Sequence, residues 1–215
     1  MDTGMVPVFY HHDLELCKSV ITTCHKAGVK VFEYTNKGDN AFSNFVQLRK
    51  YADTNLRGMM LGVGSIVTGR MAVEYTKAGA DFIVSPVFKK DIANECNKAF
   101  KFFIPGCATP TEIIEATELG AEIVKVFPAE TLGPKFVANV LGAMPWLKLM
   151  PTGGVETSEE NLSKWFKAGV VCVGMGTQLL KKDLIENKDF ATLEQNIRGT
   201  MEIIRNQKAI YATNA

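Results

Sequence analysis

Ala121-Glu-Ile-Val-Lys-Val-Phe-Pro-Ala-Glu130 decides how the rest of the chain is read. Ile123, Val124, Val126 and Phe127 are β-branched or aromatic and Pro128 closes the run, which predicts a short buried strand over Ile123–Phe127. Side chains alternate between the two faces of a strand, so Lys125 shares its face with Ile123 and Phe127. An ammonium in such a place is costly unless paired or neutral, and burial lowers a lysine's pKa. Two readings stand at this point. Lys125 is either a structural cation paired with an acid, or an amine activated for attack on a carbonyl through a Schiff base.

Working outward, the pattern of short apolar run, turn and amphipathic segment repeats, as in a parallel sheet with helices outside. Strands are expected at Val6–Phe9, Val29–Tyr34, Met59–Val63, Phe82–Val84, Phe102–Ile104, Ile123–Phe127, Leu147–Met150 and Val170–Val173. Eight strands is the number that closes a (β/α)8 TIM barrel, the fold class expected here. Helices are expected over Asp13–Lys26, Asp39–Asp53, Thr68–Lys77, Lys89–Lys98, Thr109–Leu119, Pro134–Ala143 and Ser158–Lys167. Gly28, Gly79, Gly120 and Gly169 stand where four of them stop, free to take positive φ. Thr109-Pro-Thr-Glu112 combines a capping box with proline at the first helical position, and Asp39, Thr68 and Ser158 are N-cap candidates. Phe190, Leu193, Ile197, Met201 and Ile204 follow helical spacing, so a last amphipathic helix is expected over about residues 188–205.

The 215 residues carry no linker-like or low-complexity stretch, and one domain over residues 1–215 is the expectation. Twenty-four basic against 23 acidic residues gives no support for nucleic-acid or membrane-surface binding. The N-terminus lacks a signal peptide's basic and apolar regions, and no apolar run is long enough for a membrane span. Five scattered cysteines with no C-x-x-C suit reduced thiols in the cytoplasm.

In a barrel of this kind the strand C-termini and the loops after them form the active face. Glu33 sits there on an otherwise apolar strand, sharing a face with Val31 and Thr35. It either neutralises Lys125 or shuttles protons for imine and enamine steps. Gly153-Gly154 and Gly176-Thr177 follow strands seven and eight, where such barrels commonly hold phosphate on backbone N–H groups. His11 and His12 stand at the rim after strand one. Adjacent residues on an extended strand point to opposite faces, so at most one enters the interior, and a catalytic zinc needs three ligands. No metal site is therefore expected.

Taken in order, Glu33-x-Thr35, Gly62-x-Gly64-Ser65, Phe82-Ile-Val-Ser-Pro86, Pro105-Gly-Cys-Ala-Thr-Pro-Thr-Glu112, Lys125-x-Phe-Pro-Ala-Glu130 and Pro151-Thr-Gly-Gly154 resemble the 2-keto-3-deoxy-6-phosphogluconate / 4-hydroxy-2-oxoglutarate aldolases. The likeness runs from about Val6 to Leu180, and its Lys-x-Phe-Pro-Ala-Glu and Pro-Thr-Gly-Gly motifs are specific. It implies a class I, cofactor-free and metal-independent lyase acting on small keto acids, usually a homotrimer. It implies Lys125 as the Schiff-base lysine and Glu33 as the general acid/base. Ser65, Pro86, Phe127 and Thr152 would contact the keto acid, and Gly153, Gly154, Gly176 and Thr177 its phosphate. Lys37 stands where many members carry the arginine that grips the keto-acid carboxylate, and Ser65 replaces a usual threonine. The chain also begins almost on strand one, where members usually have a helix closing the barrel floor. Two other classes remain open at this point: a phosphosugar isomerase or epimerase, and a non-catalytic phospho-ligand-binding barrel.

Overall fold

The computed structural model describes residues 3–212. Its order is β1 (Met5–Phe9), α1 (Leu14–Ala27), β2 (Val31–Thr35), α2 (Ala41–Asn55), β3 (Met60–Gly64), α3 (Gly69–Lys77), β4 (Phe82–Val84), α4 (Lys90–Lys98) and β5 (Phe102–Ile104). It continues with β6 (Gly106–Cys107), α5 (Pro110–Glu118), β7 (Val124–Val126), α6 (Ala129–Ala143), β8 (Leu149–Pro151), α7 (Glu159–Lys167), β9 (Val173–Met175), α8 (Lys182–Glu186) and α9 (Phe190–Ala212). The fold is α/β, with a curled, wholly parallel sheet and helices between its strands. One sheet segment has the order β5-β4-β3-β2-β1-β9 and the other β6-β7-β8. A parallel bridge from Thr152 to Gly174 connects the end of β8 to β9.

Pro105 separates β5, which has the bounds expected for that strand, from the short β6, which was not expected. It has no N–H to donate, so the ladder breaks there. β5 pairs with β4, and β6 pairs with β7. The Pro105 carbonyl still works, accepting from the Lys125 N–H at 2.8 Å.

The helix ends follow the local chemistry. Gly28, Gly79, Gly120 and Gly169 all have φ between 94° and 104°. Thr109 and Glu112 form the reciprocal capping box, and the Thr68 and Ser158 hydroxyls accept from the N–H three residues on. Asp39 is not a cap: the residue before α2 is Asn40, and its side chain makes no cap bond. Pro134 does not begin a helix alone. A helical turn starts earlier, at Ala129, and a break at Gly133 (φ 74°) precedes Pro134.

The largest correction is at strand eight. Val170–Val173 satisfies an apolar count, yet pairing begins only at Val173 and runs through Gly174 to Met175. The expected C-terminal helix is also longer, reaching Ala212. It lies against α1 and α7 and buries Leu193, Ile197, Met201 and Ile204.

The main core fills the space between sheet and helices. A smaller cluster of Val6, Val31, Phe82, Val84, Ile104, Met150 and Cys172 occupies the other face of the sheet. By the two-residue period this is the face that Glu33 and Lys125 share. All five cysteines are buried free thiols. Burial pushes Cys17 up to about 11 and Cys96, Cys107 and Cys172 to about 12, so these thiols stay protonated. No helix among the described residues is long and apolar enough to cross a membrane.

Candidate active site

Lys125 is the middle residue of β7, held in register by Gly106 on one side and Met150 on the other. Both neighbouring strands therefore fix its backbone, and the side chain is only 6% exposed. Its ammonium stands 4.9 Å from the centroid of the Phe127 ring, two residues along the same face. That contact is the reason an aromatic at 127 helps to place the amine.

Glu33 is the third residue of β2, paired with Val8 on β1 and Gly62 on β3, and is 1% exposed. Its carboxyl folds over Gly64, where an added Cβ would overlap the carboxyl. A glycine at 64 is thus required for the acid to lie down across β3. Burial raises the Glu33 pKa above the ordinary carboxylate value, outweighing the opposing pull of Lys125 and Lys37. Among the described residues its Oε2 has no hydrogen-bond partner, and neither has the buried Thr152 Oγ1, which rests against Gly174. Buried oxygens in that condition are suited to a ligand or a bound water.

These groups converge on one cavity of about 630 Å³ at the carboxyl ends of the strands. Lys125, Glu33, Lys37, Ser65, Pro86, Phe127, Thr152, Gly153, Gly154, Gly176 and Thr177 all line it. Ser65 holds a left-handed backbone (φ 62°), and Gly153 and Gly154 follow suit at 95° and 70°. The strands supply the amine and the acid, while loops supply Lys37, Ser65 and the glycines. His11 lines the cavity and His12 is not among its walls. Among the described residues, no three His, Cys, Asp or Glu side chains cluster as a metal-ligand set.

Several wall residues escaped the sequence, among them Tyr10, Gln178, Lys182 and Glu186. Tyr10 follows β1, with its hydroxyl crowding Gly38 next to Lys37. Gln178 and Lys182 follow β9, the latter on α8, which is too short to leave a periodic pattern. Only adjacency to His11 and to Thr177 could have suggested Tyr10 and Gln178.

A parallel α/β frame that brings a strand-borne amine and a buried acid into one cavity holds the groups that carbonyl chemistry uses. Residues 2–196 match the family described as "Aldolase: KDPG and KHG aldolase". The chain is 27% identical to the 2-dehydro-3-deoxy-phosphogluconate aldolase of Haemophilus influenzae over 202 residues, 94% of this chain and 92% of that one. It is 26% identical to the KHG/KDPG aldolase of Escherichia coli K12, covering 94% and 93%. A KDPG aldolase of Legionella pneumophila, solved with pyruvate captured as a covalent carbinolamine, superposes with TM-score 0.84 at 24% identity over 93% and 94% of the two chains. The chain belongs to the KDPG and KHG aldolase family, and is accordingly an aldolase, a carbon–carbon lyase.

Proposed function

We propose that this enzyme cleaves 2-keto-3-deoxy-6-phosphogluconate to pyruvate and glyceraldehyde 3-phosphate through an imine on Lys125, with 4-hydroxy-2-oxoglutarate as a second substrate giving pyruvate and glyoxylate. The observation that carries this is the convergence of Lys125 and the buried, pKa-raised Glu33 on one cavity whose walls also include Gly153, Gly154, Gly176 and Thr177. The names of the two relatives support the same pair of substrates.

In the proposed sequence, Lys125 Nζ adds to the keto carbon and the carbinolamine loses water to give an iminium ion. Glu33, directly or through a water, takes the proton from the C4 hydroxyl. The C3–C4 electron pair moves to the iminium, releasing the aldehyde and leaving an enamine. Protonation of C3 and hydrolysis then free pyruvate and the amine. A carboxyl whose pKa burial raises is the better suited to both accepting and returning a proton. In this reading Lys37 meets the keto-acid carboxylate, Ser65, Pro86, Phe127 and Thr152 enclose the keto acid, and the two glycine stretches hold phosphate; their shared position on the cavity wall supports it.

We take the sheet to close as an eight-stranded barrel within one domain, β5 and β6 counting as one strand interrupted at Pro105. The Thr152–Gly174 bridge supports that closure. The family resemblance supports a homotrimer, and buried free thiols suit a cytoplasmic enzyme.

Borohydride reduction in the presence of pyruvate tests the proposal. A stable mass increase on the protein is expected, and its absence under turnover conditions would remove the imine. Comparing phosphorylated with unphosphorylated substrate gives the phosphate preference.

Two further results are expected. Lys37→Arg lowers KM for the keto acid and Lys37→Ala raises it, because a planar guanidinium grips a carboxylate in two places and an ammonium in one. Unchanged KM in both variants would assign the carboxylate to another cation. Turnover also survives exhaustive chelation; loss with a chelator, restored by a divalent ion, would replace the imine mechanism with a metal-dependent one.

A further inference from the structure

We propose that His11 is a specificity-determining residue of this aldolase, donating from its Nε2–H to the phosphate at the far end of the substrate. Resting on the reading above of the cavity as a site for a phosphorylated keto acid, this role adds a contact made to the aldehyde half alone. His11 lines the cavity. Its Nδ1 accepts from the Asp13 N–H at 3.0 Å, so the neutral ring carries its proton on Nε2. Among the described residues Nε2 has no hydrogen-bond partner. One ring nitrogen thus serves the loop itself, and the other is left as a donor for a ligand.

The loop that carries this ring is held along its length. The buried Cys17 donates from Sγ to the His11 carbonyl at 3.3 Å, and the buried Asn44 donates from Nδ2 to the His12 carbonyl at 2.8 Å. The Phe9 ring lies within 8° of parallel to the imidazole with centroids 6.5 Å apart, and the His12 ring stands 4.3 Å away. A donor fixed before the ligand arrives avoids the ordering cost that a mobile rim side chain would meet. Strand register sets its height and its neighbours. Val8 is level with Glu33, and His11 lies three residues beyond Val8, toward the mouth. Pro7 pairs with Met175, so the connection after β1 leaves the sheet beside the one carrying Gly176 and Thr177, which are proposed to hold phosphate. Lys182 lines the same cavity, and its exposed partner Glu186, 3.4 Å away, forms the weak kind of pair that a dianion can displace. The keto-acid carboxylate adjoins the imine carbon and stays at the depth of Lys125, whereas the phosphate ends the outer side of the carbon chain. A short, fixed imidazole at this height therefore meets the phosphate. 4-Hydroxy-2-oxoglutarate is the shorter molecule and lacks that group.

Steady-state kinetics with 2-keto-3-deoxy-6-phosphogluconate and with 4-hydroxy-2-oxoglutarate, on the intact protein and two variants, test this. In His11→Asn the amide oxygen takes the place of Nδ1 toward Asp13, and nothing remains at the Nε2 position. In His11→Gln the amide nitrogen reaches the Nε2 position and keeps a donor there. The ratio of kcat/KM for the phosphorylated substrate to that for the shorter one is expected to fall roughly 10–100-fold in His11→Asn, the scale of a hydrogen bond to a charged group. In His11→Gln the ratio recovers. Both variants form the borohydride-trapped pyruvate adduct, since pyruvate has no aldehyde half. An unchanged ratio in His11→Asn, equal losses on both substrates, or a His11→Gln no better than His11→Asn would each overturn the proposal. Equal losses would mark His11 as a prop for its loop. A wild type that forms the adduct yet prefers neither substrate would overturn it too and leave the imine standing. A wild type that forms no adduct would overturn the proposed function, and this role with it.

Discussion

Lys125→Ala eliminates the borohydride-trapped pyruvate adduct and lowers kcat/KM by roughly 10⁴ or more, the scale on which loss of a covalent nucleophile registers. The fold survives, because a buried ammonium carries a desolvation cost that alanine does not. The strand is held from both sides by main-chain bonds that do not involve the side chain. Circular dichroism and the trapped mass are the two measurements needed. An adduct that persists in Lys125→Ala would move the imine to another lysine, with Lys37 and Lys182 in the same cavity as the candidates to test next. Loss of the adduct together with loss of the fold would instead mark Lys125 as a structural cation.

Glu33→Gln slows turnover by roughly 10²–10⁴, the usual worth of a general acid/base. The same variant is expected to be more stable than the wild type in mild alkali, and the sign follows from burial. Burial raises the Glu33 pKa in the folded chain above its unfolded value. Between those two values the native state holds a proton that the unfolded chain has lost, so stability falls as pH rises through that window. Glutamine keeps the neutral form at every pH. Its thermal midpoint should exceed the wild type's near about pH 8 and converge with it near about pH 4, where both chains carry a neutral side chain. Equal midpoints at both values would mean that the carboxylate is better solvated than its surroundings indicate. A near-normal rate in this variant would leave Glu33 as a counter-charge and nothing more.

Much of this was legible without coordinates. β-branched runs ending at glycine or proline located β1 to β5, β7 and β8 within one or two residues, because burial on both faces leaves a continuous apolar signature. The same rule misplaced β9. Val170, Val171 and Cys172 carry the signature, but the pairing segment contains Gly174, which reads as a loop. Gly174 is small because Thr152 leans across it from β8, a cross-strand fact absent from any local window. The break at Pro105 was visible as a residue and unreadable as a consequence, since only its neighbours show which ladder it interrupts. In the cavity, charge or glycine marked Lys125, Glu33, Gly153, Gly154 and Gly176, while Lys37, Ser65, Pro86, Phe127 and Thr152 were given their roles by the family resemblance. Tyr10 and Lys182 were missed because an aromatic after a strand and a lysine on a short helix are ordinary in sequence. That the singled-out residues apart from His12 line one cavity reflects topology: parallel strands deliver every carboxyl end to the same side.

The division between strand and loop also bears on how such an enzyme could acquire new substrates. Lys125 and Glu33 are each anchored by main-chain bonds to strands on both sides. Lys37, Ser65, Gly153 and Thr177 hang from connections whose ends alone are so anchored. Replacing or lengthening the connections after β8 and β9, which carry the proposed phosphate-holding residues, would alter which aldehyde is accepted, while the distance between amine and acid stayed as the sheet sets it. A library confined to Gly153, Gly154 and the turn after β9 should therefore retain pyruvate chemistry in most of its members and diversify only the acceptor.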